Sequence, residues 1–155
     1  MTWNGKLERV AIFARQLGRK EAAANYRVSN RVVSSRPRVP QIHLRAKLIT
    51  KSRIPSLKEI APYADALVVN AYEVAEVLAG AYAFGTIRVA QWGLVDREAT
   101  ALRELAPGSM VELVVEPFEM LSELKNDPLF DTLDLVQAHD SDLYVDVTVS
   151  SVQEP

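Results

Sequence analysis

Beyond Pro40, apolar residues recur at every second position, which is the pattern of a strand with one buried face. Apolar side chains alternate with polar or charged ones in residues 42–48, 87–89, 111–115 and 143–149. Turn signals such as Pro107-Gly108 separate these stretches. The pattern therefore predicts about five strands that form a small antiparallel barrel or sandwich, closed or partly closed.

Residues 66–79 (ALVVNAYEVAEVLA) are compatible with a helix or with a strand. Their Ala and Glu content and the following Gly80 favour a helix, whereas the Val-rich runs at 67–69 and 72–74 favour a strand. The apolar positions change phase near Ala71, which a helix explains by its period and a strand explains by a β-bulge. We favour the bulged strand.

Helical patterns lie mainly before Pro40. Apolar residues at Leu7, Val10, Ala14 and Leu17 form one stripe of a helix that ends or kinks at Gly18. Residues 20–26 fit a second short helix, and the basic, proline-containing residues 27–40 fit a linker. Two further short helical segments are predicted in the body, over residues 57–61 after an N-cap at Ser56 and over residues 98–105.

The domain prediction follows from this change of pattern. Residues 1–40 form a basic helical arm with its linker, and residues 41–155 form an antiparallel, OB-like β-barrel domain. The OB-like assignment is an analogy with the order strand, glycine, strand, turn, strand between Val68 and Val115. The predicted fold class is α+β, and mainly β.

Charge divides the chain into two blocks. Residues 1–58 contain fourteen Lys and Arg and two Glu, whereas residues 59–155 contain four Lys and Arg and eighteen Asp and Glu. The net charge of −2 hides this division. A basic arm beside an acidic body is evidence about partners rather than chemistry. We expect the arm to bind a protein partner or a second copy of the chain, with an anionic membrane surface as a weaker alternative.

The arm also supports a nucleic-acid interface. Sequence-independent phosphate contacts need charge density, which is supplied by Arg27, Arg31, Arg36 and Arg38. Ala14 and Gly18 have the spacing of a helix-turn-helix, which would place residues 26–33 in a groove. Arg19 and Arg27 stand where that motif needs apolar residues, so general phosphate contact is the better interpretation.

Composition limits the chemistry. The chain has 155 residues, 48% of them apolar, which suits a single soluble domain. Cysteine is absent, which excludes disulfides, thiolate nucleophiles and cysteine-based metal sites. An acidic stretch over residues 131–146, with His139, lacks the glycine and closing glutamate of an EF-hand. We predict no cofactor and no metal site. With no signal peptide or membrane span, the expected location is the cytoplasm, although an excised domain of an exported protein would look the same.

Several segments resemble a known bacterial domain. They are SRIPS (52–56), APYADALVVN (61–70), YEV (72–74), VL (77–78), Gly80, IRVAQW (87–92) and VEPFE (115–119). Together they resemble the small β-domain that follows the catalytic domain in alginate O-acetyltransferase-like, SGNH-hydrolase-related proteins, over residues 41–149 at most. The Gly-Asp-Ser block and the Asp-x-x-His motif of SGNH catalysis do not occur here. The resemblance therefore implies a non-catalytic module.

Four side chains are candidate ligand contacts. Trp92, Tyr82 and Tyr72, together with Phe84, cluster around the presumed hairpin at residues 80–86, where aromatic rings stack on sugars or bases or seal the barrel core. His43 has an outward position on a strand and is either an exposed histidine or a general base. His139-Asp140 with Ser141 has the residue types of a triad, but such groups are assembled by geometry rather than adjacency.

These observations favour a non-catalytic binding or accessory module, linked through the resemblance to bacterial cell-envelope polysaccharide modification. A nucleic-acid-binding protein that uses the basic arm is the first alternative. An enzyme of unknown reaction is the second, and a pocket holding His43 or His139 beside a carboxylate would distinguish it.

Overall fold

The structure is a computed structural model that describes residues 12–34, 39–83, 85–133 and 142–148. The chain divides into two compact units, residues 1–38 and residues 39–155. Within the described ranges, no helix combines the length and the apolar character needed to cross a membrane.

The first unit contains helix α1 (Arg19–Ser34), which begins directly after Gly18. Glu21 holds this end, because its carboxylate accepts the Gly18 N–H at 2.9 Å and two hydrogen bonds from Arg15. An acidic side chain in the first turn also complements the helix dipole.

Two predictions for this unit are wrong. The described residues before Gly18, from Ile12 onward, are not helical, and the predicted linker is helical as far as Ser34. No proline or glycine interrupts the chain between Arg19 and Ser34, so nothing in the sequence ends the helix earlier. The helix-turn-helix interpretation thereby loses the first helix that it needs.

The second unit is a mainly β structure. Its strands are β1 (Ile42–Lys51), β2 (Ala66–Ala79), β3 (Thr86–Val95), β4 (Glu98–Ala99), β5 (Met110–Pro117), β6 (Leu129–Phe130) and β7 (Leu143–Asp146). Five of them close into a barrel, in which β1 pairs with β2, β2 with β3, β3 with β7, β7 with β5, and β5 with β1. The predicted fold class, α+β with a small β-barrel, is confirmed.

Two strand pairings in this sheet are parallel rather than antiparallel. β7 lies parallel to β3, and the short strand β6 lies parallel to β2. Both strands come after β5 in the chain and pair with strands that precede β5. Hydrophobic alternation reports which face of a strand is buried but not its direction, so the sequence pattern did not reveal these crossovers.

Strand β2 confirms the strand interpretation of residues 66–79. Its register against β1 shifts in three places, and each shift leaves one residue unpaired: Ile49 on β1, and Ala75 and Leu78 on β2. The shift nearest Ala71 is therefore a bulge in β1, opposite the position where the apolar pattern changes phase.

The short elements differ in how well the sequence predicted them. Helix α2 (Leu57–Ile60) starts at the predicted cap Ser56, whose N–H and hydroxyl both donate to the Glu59 carboxylate at 2.8 Å. Pro107-Gly108 is a turn, with Gly108 at φ +93°. The predicted helix at 98–105 is reduced to a 3₁₀ turn, Ala101–Glu104, because the residues before it form β4.

The interior of the barrel is apolar except for one chain of hydrogen-bonded side chains. Gln91 Oε1 accepts from Asn70 Nδ2 at 2.9 Å and from the Tyr72 hydroxyl at 2.5 Å, and Gln91 Nε2 donates to Asp146 Oδ2 at 2.8 Å. Asn70 Oδ1 accepts the Ser52 N–H at 3.1 Å. Burial without partners would be costly for these groups, so the mutual bonds are what allows polar side chains here.

Candidate functional site

Three shallow pockets adjoin one another at the end of the barrel where β1 ends and β2 begins. The central pocket has a volume of about 420 Å³ and includes Leu94 and Ala99 in its lining. A second pocket of about 420 Å³ shares Ile54 and Arg103 with it, and a third of about 200 Å³ shares Leu57 and Arg97. Because neighbouring pockets share lining residues, they lie side by side, and we call the three together the end cleft.

The end cleft collects positive charge on a strongly acidic body. Residues 39–155 contain nine Lys and Arg and eighteen Asp and Glu. Four of the nine cations line the cleft, namely Lys51, Arg53, Arg97 and Arg103, and its described lining includes no Asp or Glu. Charge of one sign in a concave surface raises the local concentration of oppositely charged ligands.

Two of these cations have structural partners. The Lys51 ammonium donates to the backbone carbonyls of Arg103 at 2.8 Å and Leu105 at 2.7 Å, which holds the 3₁₀ turn against β1. Arg53 makes two hydrogen bonds of 2.8 Å to the Glu59 carboxylate. This guanidinium, with the Ser56 N–H and hydroxyl, lowers the pKa of Glu59 to about 2.

The other two cations, Arg97 and Arg103, are exposed and make no side-chain hydrogen bond or ion pair with any described residue. Both line the central pocket together with the apolar residues Ile54 and Leu94. The cleft also has exposed apolar side chains, since Leu57 is 47% and Tyr63 is 51% exposed. Free guanidinium groups beside apolar surface suit an extended ligand that carries negative charge.

The structure separates the predicted aromatic contacts. Tyr72 is fully buried in the barrel core, where burial and the Asp146 carboxylate raise the pKa of its hydroxyl. Trp92 is half-buried on the opposite face of the β2–β3 sheet, paired in register with Leu67. Phe84 lies outside the described residues.

Tyr82 packs at the edge of the core. Its hydroxyl donates to the Thr86 carbonyl at 2.6 Å, and its ring meets Tyr144 edge-on with 5.7 Å between centroids. Burial, with smaller effects of Tyr144 and Asp142, raises the pKa of Tyr82 to about 12. Tyr82, Tyr72 and Trp92 therefore do not form a common surface.

His43 lies on the outer face of β1, beside a carboxylate. Its Nε2 is 2.7 Å from Glu112 Oε1, and both side chains line a shallow pocket of about 400 Å³ with Val114 and Thr148. This is the arrangement that the sequence analysis named as the mark of an enzyme. The Thr148 hydroxyl is engaged as the acceptor of the Val114 N–H at 2.9 Å.

Two of the four predicted polyanion contacts lie on α1. Arg27 and Arg31 are exposed on α1, four residues apart and hence on one face of the helix. Arg36 and Arg38 lie outside the described residues, as do Asp134, His139 and Asp140 of the acidic stretch. Within the part of the chain that is described, no group of three metal-binding side chains converges.

The sequence analysis did not identify the end cleft. Its walls come from the β1–β2 connection, the β3–β4 turn and the following 3₁₀ turn, which are distant in sequence and meet only when the barrel closes. The sequence contained one local sign of the cleft, which was an arginine that lies between a predicted strand and the polar segment after it. By itself, that signal is too common to indicate a site.

The sequence matches no protein-family model, and comparison with curated proteins and with solved structures finds no significant similarity.

Proposed function

We propose that this protein is a non-catalytic binding module that holds an extended polysaccharide chain in the end cleft. The observation that carries this proposal is the charge of the cleft, where Lys51, Arg97 and Arg103 have no carboxylate partner among the described residues, on a body with twice as many acids as bases. The resemblance to the accessory domain of alginate O-acetyltransferase-like proteins is the reason to choose a polysaccharide of the bacterial cell envelope.

The position of the cleft supports the same proposal. Small five-stranded barrels of the OB type bind oligosaccharides and oligonucleotides with the loop between their first two strands. Here that loop supplies Ile54, Leu57 and Tyr63 to the cleft. Exposed aromatic and aliphatic side chains pack against the apolar faces of sugar rings, while guanidinium groups donate to their oxygens.

Affinity electrophoresis tests the proposal. We expect the protein to be retarded in gels that contain polygalacturonate, and Tyr63→Ala to weaken binding about 3- to 10-fold because a ring contact is lost. Met110→Ala is the matched control, since it removes an exposed apolar side chain that lies outside the cleft. Unaltered mobility with polygalacturonate and dextran alike, or equal binding by Tyr63→Ala and wild type, would contradict the proposal.

The first alternative is nucleic-acid binding through the arm, and the free, aligned guanidinium groups of Arg27 and Arg31 are the observation that favours it. Affinity for single- or double-stranded DNA should then fall as salt rises. Arg31→Gln should make the salt slope shallower by about one unit, because one phosphate contact is lost. Arg45→Gln on the barrel is the control. Binding that is absent or insensitive to salt excludes this alternative.

The second alternative is an enzyme, and the His43–Glu112 pair is the observation that favours it. Hydrolysis of p-nitrophenyl acetate that is abolished by His43→Gln would establish it and would contradict a non-catalytic module. A rate equal in wild type and His43→Gln supports the binding proposal.

A further inference from the structure

Arg97 occupies an unusual backbone position. Val95 of β3 pairs with Glu98 of β4, so Asp96 and Arg97 form a two-residue hairpin turn. Both have positive φ, 51° for Asp96 and 69° for Arg97, as a type I′ turn requires. Asn-Gly is the preferred sequence for such a turn, and a side chain as long as arginine is disfavoured at the second position.

The turn is held in place by hydrogen bonds to the loop before β2. The Asp96 N–H donates to Asp65 Oδ1 at 2.6 Å, and the Arg97 N–H donates to the Ala64 carbonyl at 2.9 Å. These bonds fix the backbone, but they do not require an arginine side chain, because they use main-chain donors. Residues kept in a sparsely populated conformation are often found where a ligand is bound.

The Arg97 side chain lines both the central pocket and the third pocket of the end cleft. Arg103 reaches the central pocket from the 3₁₀ turn, whose carbonyl at Arg103 is fixed by the Lys51 ammonium. Asp96 and Glu98 flank Arg97 in the chain but are not among the described residues that line the pockets. Arg97 and Arg103 therefore both line one largely apolar pocket, and neither side chain has a counter-ion among the described residues.

We propose that the central pocket is a subsite for an acidic sugar unit, with Arg97 and Arg103 binding its carboxylate or phosphate. The planar guanidinium donates pairs of hydrogen bonds that match these two anions. Ile54 and Leu94 contact the apolar face of the ring. This inference rests on the proposed function for the sugar, and it adds which pocket and which two side chains bind the charged group.

Titrations followed by ¹H–¹⁵N spectra test this subsite with three small probes: methyl glucuronoside, glucose 6-phosphate and methyl glucoside. We expect the two acidic sugars, or one of them, to shift the amide signals of residues 94–104, and the neutral sugar to bind at least about fivefold more weakly. The comparison between the acidic probes distinguishes a carboxylate ligand from a phosphate ligand.

Arg97→Gly gives the sharpest variant, because glycine fits the positive φ better than arginine. We expect this variant to lose at least about fivefold in affinity for the acidic probe while its unfolding temperature stays the same or rises. Arg103→Gln should lose a similar factor, and Arg45→Gln, which removes a paired cation on β1, should retain wild-type affinity. Loss of binding with loss of folding would contradict a ligand role for Arg97.

Two results would overturn the subsite: equal affinity for neutral and acidic sugars, or unchanged affinity in both Arg97→Gly and Arg103→Gln. Either result is compatible with polysaccharide binding that depends on Tyr63. Conversely, the protein could bind the acidic sugars through Arg97 and yet not be retarded in gels that contain polysaccharide. That result would support the subsite and contradict the proposed function.

Discussion

The outer face of β1 and the end cleft carry the same kinds of charged side chain in opposite arrangements. His43 and Arg45 of β1 bond to carboxylates of the neighbouring strands, His43 to Glu112 at 2.7 Å and Arg45 to Glu76 at 3.0 Å, and Gln41 just before β1 bonds to Glu116 at 2.8 Å. In the cleft, Arg97 and Arg103 have no such partner among the described residues. The sheet thus gives His43 and Arg45 carboxylate partners, whereas the loops leave two guanidinium groups without one among the described residues.

The difference has a structural cause. Side chains that are opposite each other in a sheet lie within about 5.5 Å, so an acid and a base on adjacent strands are brought within reach, as Arg45 and Glu76 are. Turns do not place side chains opposite one another in this regular way. The exposed pairs on β1 contribute little to stability in water, and their main effect is to favour one strand register. The charges of the cleft favour no register, and the proposed ligand would give them a role.

The largest expected effect comes from removing a polar group in the barrel interior rather than one at the surface. Gln91→Ala leaves the buried Asn70 amide and Tyr72 hydroxyl without their acceptor, and should lower the free energy of unfolding by about 2–4 kcal/mol. Gln41→Ala makes the same chemical change at an exposed site and should cost less than about 0.5 kcal/mol. Urea denaturation measures both values. Equal losses in the two variants would refute the distinction.

The comparison also shows which parts of the structure the sequence could predict. Period-two alternation predicted β1, β3, β5 and β7, and residues 66–79 were correctly predicted as a bulged strand, although the bulge nearest Ala71 lies in β1. These features depend on neighbours in sequence. The parallel position of β7 depends on a crossover that alternation does not encode. The 3₁₀ turn at Ala101–Glu104 was predicted as a longer helix because the prediction relied on helix propensity and did not include the pairing of β4.

The candidate site was harder to predict because its residues are few and distant. Trp92 and Tyr72 were selected for their residue type, but the pleat of the β2–β3 sheet places them on opposite faces. Arg97 was not selected, because Asp-Arg is an uncommon pair in a two-residue hairpin turn. Unfavourable local chemistry of this kind is where sequence reasoning fails, and such places are often functional.

Removing the ion-pair partner of Arg53 should strengthen ligand binding in the cleft. Glu59→Gln removes the carboxylate that holds Arg53, while glutamine still accepts from Ser56 and preserves the α2 cap. A third free guanidinium in the cleft should raise affinity for the acidic sugar about two- to fivefold. Glu76→Gln releases Arg45 on the outer face and should leave that affinity unchanged. If both variants raised affinity equally, general field strength rather than the cleft would be responsible.

The smallest expected effect is the pH dependence of the stability that the Glu59–Arg53 pair contributes to the fold. Hydrogen bonds from Arg53 and Ser56 lower the pKa of Glu59 from 4.5 to about 2. The folded protein therefore binds this proton less readily than the unfolded chain does. Because the folded pKa is the lower one, the stabilisation by Glu59 is complete above about pH 4.5 and disappears as the pH falls toward 2.

Urea midpoints of wild type and Glu59→Gln should accordingly differ at pH 7 and converge between pH 4.5 and pH 2. The exposed position of the pair keeps this difference small, because water and salt screen both charges. Met110→Ala provides the control, since it changes no titrating group and its difference from wild type should not depend on the Glu59 proton. A gap for Glu59→Gln that persists unchanged at pH 2.5 would show that the carboxylate of Glu59 is not held by Arg53, and the cleft would then already contain three free guanidinium groups.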